Sequence, residues 1–109
     1  YLNQMLEDGQ SSHLYYLRAK YLFEARQYKK ANEDILKAIK SSPRDVEYVL
    51  LAGQIAFDLE NYTTASSYLN LIKSNLKKRS LILFLLADLS IKVNNLKLAN
   101  YYLNQIPQN

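Results

Sequence analysis

Residues 28–40 read YKKANEDILKAIK, residues 62–74 read YTTASSYLNLIKS, and residues 96–106 read LKLANYYLNQI. These stretches align at a fixed interval of 34 residues, and the first halves of the same units align with them. A fixed period of this length is the mark of a helical solenoid, in which each repeat is one helical hairpin. The period therefore predicts an all-α architecture. The aligned sets are Ala31, Ala65, Ala99; Tyr28, Tyr62, Leu96; Ile35, Leu69, Leu103; and Ala19, Gly53, Ala87.

Composition agrees with a compact helical domain and excludes several other classes. A hydrophobic fraction of 49% and a charged fraction of 22% are those of a soluble globular protein. Only two Gly and two Pro occur, too few for a turn-rich β protein, and the absence of Cys excludes disulfides and thiolate sites. The longest apolar run, Leu81 to Ala87, is far short of the roughly 20 residues that cross a bilayer. We expect a soluble protein without a membrane span, and cytoplasmic and periplasmic locations both stay open.

Capping residues and helical periodicity predict six helices in three antiparallel hairpins. Residues able to cap a helix precede four of the apolar stripes: Asp45, Asn61, Ser80 and Asn95. Connections of only a few residues force neighbouring helices to be antiparallel. The predicted helices run from Ser11 or Ser12 to about Ala25, from Tyr28 to about Lys40, from Asp45 to about Leu59, from Tyr62 to about Leu76, from Ser80 to about Val93, and from Asn95 onward.

The residues at the repeating positions resemble three tandem tetratricopeptide repeats, whose signature is W-x2-L-G-x2-Y…A-x3-F…P over 34 residues. The chain departs from this pattern in having no Trp, Arg18 where Leu is usual, and Lys77 where a second Pro is expected. Pentatricopeptide repeats typically have a 35-residue period, and HEAT and armadillo repeats are longer still. The signature positions are Tyr15, Ala19, Leu22, Ala31, Ile35, Ala38, Pro43; Val49, Gly53, Ala56, Ala65, Leu69, Ile72; and Leu83, Ala87, Ser90, Ala99, Leu103, Ile106.

The resemblance implies a right-handed α-α superhelix with one repeat in each of three segments, residues 11–44, 45–78 and 79–109. Residues 1–4 and 102–105 have the same sequence, YLNQ. This identity predicts that residues 1–10 are the tail of an upstream repeat helix and that the chain belongs to a longer array. The alternative, a short protein whose last helix is its own cap, stays open.

The resemblance also implies a function, because the first helices of tetratricopeptide repeats line a concave groove that receives an extended peptide or a partner's helix. We therefore expect a non-catalytic scaffold for protein–protein interaction. Polar groove residues would fix the register of the ligand, and apolar ones would capture its side chains, although each apolar residue could instead belong to the core. The candidate residues are Tyr16, Lys20, Phe23, Leu50, Gln54, Phe57, Leu81, Phe84, Asp88 and Ile91.

The predicted helix between Leu81 and Ile91 has almost no polar face. A helix that is apolar all round is normally buried on all sides. Its own hairpin and the preceding one can cover only part of it. A following repeat, a partner or a second copy of the chain must cover the remainder. Self-assembly within a larger solenoid is therefore the second functional hypothesis.

Two other classes of partner are not expected. Repeats that hold the acidic tails of heat-shock chaperones use a clamp of Lys, Asn and Arg, and the matching positions here are Tyr16, Lys20, Leu51, Leu81 and Leu85. One cation among five does not make such a clamp. A net charge of +4 invites a nucleic-acid hypothesis, but lysines such as Lys37 and Lys40 lie near a helix C-terminus, where they favour the helix dipole. Nucleic-acid binding is the third and weakest hypothesis.

Catalysis, metal binding and cofactor binding have little support in the sequence. His13 is the only His, and a catalytic triad needs three groups that converge in space. Carboxylates such as Glu24, Asp58 and Asp88 fall on separate predicted helices without His or Cys nearby. Both glycines are isolated, so no loop resembles a phosphate-binding motif. We expect no enzyme activity and no cofactor.

Overall fold

Six α-helices pack consecutively in the computed structural model, which describes residues 12–75 and 77–106. Each helix contacts the next one along the chain, and the first helices of the first and second hairpins also touch. No strand occurs within the described residues. The predicted all-α solenoid of helical hairpins is confirmed. Its helices are α1 (Ser12–Glu24), α2 (Tyr28–Ser41), α3 (Val46–Asp58), α4 (Tyr62–Leu71), α5 (Arg79–Lys92) and α6 (Leu96–Asn104).

The turn inside each hairpin repeats with the 34-residue period. Arg26, Glu60 and Asn94 each have a positive φ, at 63°, 63° and 65°. A left-handed residue just after a helix lets the next N–H reach back to a carbonyl of the last turn. That bond joins Gln27 N to Leu22 O at 2.8 Å, Asn61 N to Ala56 O at 2.8 Å, and Asn95 N to Ser90 O at 2.7 Å.

Two of the four predicted N-caps are confirmed. Asp45 Oδ1 accepts a hydrogen bond from the backbone N–H of Tyr48 at 3.2 Å. Asn95 Oδ1 accepts one from the backbone N–H of Leu98 at 3.1 Å. Each bond satisfies one of the backbone donors that the first turn of a helix leaves unpaired.

Of the other two predicted caps, Asn61 is confirmed in position only and Ser80 is wrong. Asn61 stands at the N-cap of α4, but its side chain makes no capping bond. Ser80 lies inside α5, because that helix begins at Arg79. The connection before α5 is closed instead by Asn75, whose Oδ1 accepts a hydrogen bond from the N–H of Lys78 at 3.0 Å.

Helix α4 ends at Leu71 rather than near the predicted Leu76, which lies outside the described residues. From Ile72 onward the chain tightens into turns that bond three residues back, beginning with Ile72 N to Leu69 O at 3.3 Å. Ile72 stays buried in this arrangement. The connection between the second and third hairpins, from α4 to α5, is therefore longer than the one between the first and second, from α2 to α3. The turns within the hairpins, in contrast, are alike.

Small side chains stand where helices approach most closely. Ala19, Gly53 and Ala87 are all buried in the first helices. A Cβ atom on Gly53 would lie 3.2 Å from Leu69 Cδ2, closer than ordinary van der Waals contact. The missing side chain at Gly53 therefore lets α3 pack closely against Leu69 of α4.

An ion pair explains the departure from the repeat signature at Arg18. Arg18 Nε donates to Asp34 Oδ2 at 2.6 Å, and Nη2 donates to Oδ1 at 2.8 Å. Asp34 is buried, so its charge needs this two-pronged partner. The equivalent positions in the other hairpins carry an uncharged residue and a Tyr: Ala52 with Tyr68, and Leu86 with Tyr102.

Two further expectations concern the start of the chain and the ability of its helices to cross a membrane. The predicted upstream helix tail at residues 1–10 and a helix start at Ser11 fall outside the described residues. Among the helices of residues 12–75 and 77–106, none combines the length and the apolar character that a bilayer crossing requires.

Candidate functional site

Two adjoining clefts run along the first helices of the hairpins. The first, of about 230 Å³, lies between α1 and α3, and the second, also about 230 Å³, lies between α3 and α5. They share the lining residues Phe23 and Gln54 and therefore adjoin each other, and we call the two clefts together the groove. The α1–α3 cleft is lined by Tyr16, Lys20, Phe23, Glu24, Glu47, Leu50, Leu51 and Gln54, and the α3–α5 cleft by Phe23, Gly53, Gln54, Phe57, Asp58, Leu69 and Leu85.

The two phenylalanines of the groove are positioned by the same contact. The ring centroid of Phe23 lies 5.7 Å from that of Tyr28, and the centroid of Phe57 lies 5.6 Å from that of Tyr62. Each Tyr is the first residue of a second helix, so the hairpin turn that recurs in the chain brings the two rings together. Both phenylalanines are half-buried and offer part of their surface to the clefts.

Tyr16 lines the α1–α3 cleft, and its ring lies next to two other aromatic rings. Its ring centroid is 5.0 Å from that of Tyr48 and 5.9 Å from that of His13. Burial raises the pKa of the Tyr16 phenol, and the negative charges of Glu47 and Asp45 raise it further. The phenol therefore stays protonated at neutral pH and can donate a hydrogen bond.

Carboxylates outnumber cations in the groove. Glu24, Glu47 and Asp58 line the clefts together with a single cation, Lys20. Glu47 Oε1 lies 3.4 Å from Lys78 Nζ in an exposed ion pair, which is worth little in water. Burial raises the pKa of the Asp58 carboxyl, and the charge of Arg26 only partly opposes that effect. The lining side chains therefore include three carboxylates and one cation, and two of the carboxylates, Glu47 and Asp58, have a further cation beside them in Lys78 and Arg26.

The structure brings together six of the ten predicted groove residues: Tyr16, Lys20, Phe23, Leu50, Gln54 and Phe57. Leu50 lines its cleft although it is almost completely buried in the core. The other four, all on α5, line neither cleft. Among these, Leu81, Phe84 and Ile91 are exposed and Asp88 is half-buried.

Seven residues that line the two clefts are not among the ten candidates, and two of them, Gly53 and Leu85, are instructive. The seven are Glu24, Glu47, Leu51, Gly53, Asp58, Leu69 and Leu85. Gly53 leaves open the space that a side chain would fill, and Leu85 forms the α5 wall of the α3–α5 cleft. Leu85 lies 34 residues after Leu51, which lines the other cleft, so the period itself could have predicted it. Gly53 belongs to a set whose other members are Ala, which is why it looked purely structural.

A third cleft, of about 310 Å³, lies between α4, α5 and α6. Its polar lining includes Ser66 and Ser90, whose hydrogen bonds stay within their own helices. Ser90 Oγ donates to Leu86 O at 2.8 Å, and Ser66 accepts from the side-chain amide of Asn70. No three residues among the described His, Asp and Glu side chains come together in a way that could hold a metal ion.

The family model for anaphase-promoting complex, cyclosome, subunit 3 matches residues 1–72, about two-thirds of the chain. The chain belongs to this family. The family is built of tetratricopeptide-type repeats, so the resemblance seen in the sequence is confirmed. Repeat proteins of this type are typically non-catalytic scaffolds for protein–protein interaction. No curated protein matches the chain.

Proposed function

We propose that this repeat protein holds a segment of a partner protein, extended or helical, in the groove formed by the α1–α3 and α3–α5 clefts. The observation that supports the proposal is that the two clefts adjoin at Phe23 and Gln54, which line both of them. A groove that crosses from one hairpin to the next can contact several successive side chains of a ligand. Its apolar walls with a few polar groups are typical of a binding site.

The proposed ligand carries an apolar side chain and a basic one. Phe23 and Phe57 supply apolar surface on either side of Gln54. A cation on the ligand would face Glu24 or Asp58. At Asp58 its charge would offset the free-energy cost of burying the carboxylate. Lys20 and Gln54 would fix the register by hydrogen bonds. An acidic chaperone tail does not match this balance of charge, so we keep as a proposal the expectation that such tails do not bind.

The four candidates on α5 extend the proposed site. Leu81, Phe84, Asp88 and Ile91 follow the α3–α5 cleft along the array, so a longer ligand would reach them after Phe57. We retain residues 11–44, 45–78 and 79–109 as the proposed bounds of the three repeats. We also propose that the segment is not an enzyme, since its groove offers aromatic and carboxylate side chains without a nucleophile and base in contact.

A charge-swap variant tests the groove without disturbing the core. Lys20→Glu with Glu24→Lys keeps the net charge and changes only exposed side chains of α1. The matched control is Lys30→Glu with Glu33→Lys, an equivalent swap of exposed residues on α2, outside both clefts. The wild-type chain is used to select binders from a displayed library of random peptides.

We expect selected peptides that combine an apolar residue with Lys or Arg, and a loss of binding of at least tenfold in the groove swap only. Chemical-shift changes on peptide addition should cluster at Phe23, Gln54 and Phe57. Peptides that bind both swap variants equally, or that shift only residues of α2 and α6, would show that the site lies elsewhere.

A further inference from the structure

The two connections between successive hairpins lie together at one edge of the solenoid. Helices α2 and α4 end at this edge and α3 and α5 begin there, because neighbouring helices are antiparallel. An ion pair joins the connections, with Lys78 Nζ 3.4 Å from Glu47 Oε1. Each connection lies between two hairpins that the structure describes. A cleft of about 200 Å³ between them is lined by Arg44 and Val46 from one side and by Leu71, Ile72, Ser74 and Asn75 from the other.

The positive charge of the chain is concentrated at this edge. Residues 40–47 and 73–79 contain six cations and two carboxylates, so their net charge is +4, which equals the net charge of the whole chain. The charges of all other residues therefore cancel. Four of the six cations are exposed and two are half-buried. We call the six cations the basic edge: Lys40, Arg44, Lys73, Lys77, Lys78 and Arg79.

Helix stability explains only part of this charge. Lys40 lies in the last turn of α2, where a cation interacts favourably with the helix dipole. Arg44 precedes α3, and the run from Lys77 to Arg79 precedes and begins α5, where the dipole disfavours a cation. The first turn of α5 has no acidic residue to compensate. These cations therefore oppose helix stability, which is typical of residues that serve binding.

Most of the basic edge is not neutralised by the rest of the protein. Within the described residues, the side chains of Lys40, Arg44, Lys73 and Lys77 form no hydrogen bond or ion pair. Of the two carboxylates in these segments, one caps α3 through the N–H of Tyr48 and the other pairs with a lysine. The cleft between the connections therefore lies in a surface with unneutralised positive charge.

We propose that the basic edge binds a phosphorylated segment of a partner protein, with a phosphoserine or phosphothreonine seated in the cleft beside Arg44. A phosphate monoester carries nearly two negative charges at neutral pH and three strong acceptor oxygens. The guanidinium of Arg44 can donate two parallel hydrogen bonds to such a group. The Ser74 hydroxyl and the Asn75 amide, which line the same cleft, supply neutral donors.

One of these neutral donors is already held in place. Asn75 Oδ1 accepts a hydrogen bond from the backbone N–H of Lys78 at 3.0 Å, which leaves the amide nitrogen of Asn75 as a donor for a ligand. Lys73 and Lys77 lie on either side of Ser74 and Asn75 in the sequence. Acidic residues next to the phosphorylated residue would meet these two lysines.

The composition of the edge favours a protein segment over a nucleic acid. Proteins that bind single-stranded nucleic acid place aromatic side chains under the bases. Residues 40–47 and 73–79 contain no aromatic residue. None of the six cations lines the α1–α3 or the α3–α5 cleft, so this inference does not rest on ligand capture in the groove.

The test compares the full chain with two double variants that lose the same charge. Arg44→Gln with Lys77→Gln removes two exposed cations of the basic edge. The control, Lys29→Gln with Lys30→Gln, removes two exposed cations at the start of α2, which lies at the opposite edge. The probe is a library of short peptides with a central phosphoserine and randomised flanks, presented beside the same library without the phosphate.

We expect the chain to retain the phosphorylated library, with acidic residues enriched beside the phosphoserine. In fluorescence anisotropy, removing the phosphate or introducing the basic-edge variant should each weaken binding of a selected peptide by about tenfold or more. The control variant should bind as the wild type does, and added salt should weaken binding. Urea denaturation should find the basic-edge variant at least as stable as the wild type, because it removes cations from helix starts.

Three outcomes overturn the proposal. Equal retention of the two libraries, or retention of neither, shows that the edge does not recognise phosphate. A loss in the control as large as that in the basic-edge variant shows that binding follows net charge and has no particular site. A single-stranded oligonucleotide that binds the edge more tightly than any selected phosphopeptide identifies a nucleic-acid surface instead.

Discussion

The first and third hairpins share a turn but hold their helices together in different ways. Both have a left-handed residue at the same position, Arg26 in one and Asn94 in the other. The first hairpin joins its helices through the Arg18–Asp34 ion pair, where the third places Leu86 and Tyr102. The period therefore specifies where helices turn, while the chemistry between the helices can change from one hairpin to the next.

The comparison also separates the identity of a residue from its burial. Leu69 and Leu103 are the same residue at equivalent positions, yet one is buried and the other is exposed. The difference comes from the following hairpin, which covers Leu69 and is absent over Leu103 in the described chain. In a solenoid, each hairpin takes much of its stability from its neighbours rather than from its own sequence.

Truncating the same residue at these two positions gives the largest expected contrast. Leu69→Ala leaves a cavity in a closed cluster and should lower the free energy of unfolding by about 3 kcal/mol. Leu103→Ala removes a half-exposed side chain and should cost less than about 1 kcal/mol. Urea denaturation at a concentration where the chain is monomeric measures both. Equal losses would show that the face of α6 is covered in solution.

Replacing the ion pair of the first hairpin should have the second largest effect on the free energy of unfolding. Arg18→Leu leaves Asp34 as a buried charge without its two-pronged partner, and should cost about 2–3 kcal/mol, less than for a fully buried pair because Arg18 is partly exposed. Adding Asp34→Tyr gives the Leu and Tyr of the third hairpin and should recover most of that loss. A double variant no more stable than Arg18→Leu alone would mean that the first hairpin cannot adopt the apolar solution.

Removing the side chains of the two N-cap residues Asp45 and Asn61 should change the free energy of unfolding by smaller amounts, and by different ones. Asp45→Ala removes the bond to the N–H of Tyr48 and should cost about 1 kcal/mol. Asn61→Ala removes no capping bond and should change the free energy of unfolding by only a few tenths of a kcal/mol. Thermal unfolding of the two variants decides the point. A loss at Asn61 as large as that at Asp45 would show that its side chain caps α4 in solution.

The smallest effect is expected at the hairpin turns. Glu60 has a φ of 63°, a conformation that is unfavourable for most residues and natural for glycine. Glu60→Gly should therefore raise the free energy of unfolding by up to about 1 kcal/mol. Asn94→Gly should gain less, because Asn tolerates this conformation. Chemical denaturation of both variants measures the order, and a larger gain at Asn94 would contradict it.

Much of the fold could be predicted from the 34-residue spacing. It located the three hairpin turns and the small residues at the close approaches, because these depend on the backbone path that all hairpins share. It failed at the end of α4 and at Ser80. There the turn at Ile72 ends α4 early, and the side chain of Asn75 closes the connection. The turn bond recurs at the end of α6, from Ile106 N to Leu103 O at 3.2 Å.

The candidate site was less predictable than the fold. The resemblance to tetratricopeptide repeats implied which helices line a groove, and six of the ten candidate residues line the two clefts. It could not show that Gly53 opens a cleft or that Phe84 falls outside it. Both depend on how far neighbouring hairpins separate, which is a property of the packed array and not of any single helix.

Residue-resolved hydrogen exchange on the dilute, monomeric chain tests the central claim most directly, namely that neighbouring hairpins determine burial and stability. We predict the slowest exchange in α3, which is covered by hairpins on both sides, and faster exchange in α1 and α6 at the two ends. Exchange in α6 as slow as that in α3 would contradict the account, because α6 would then be stable without a hairpin to cover Leu103.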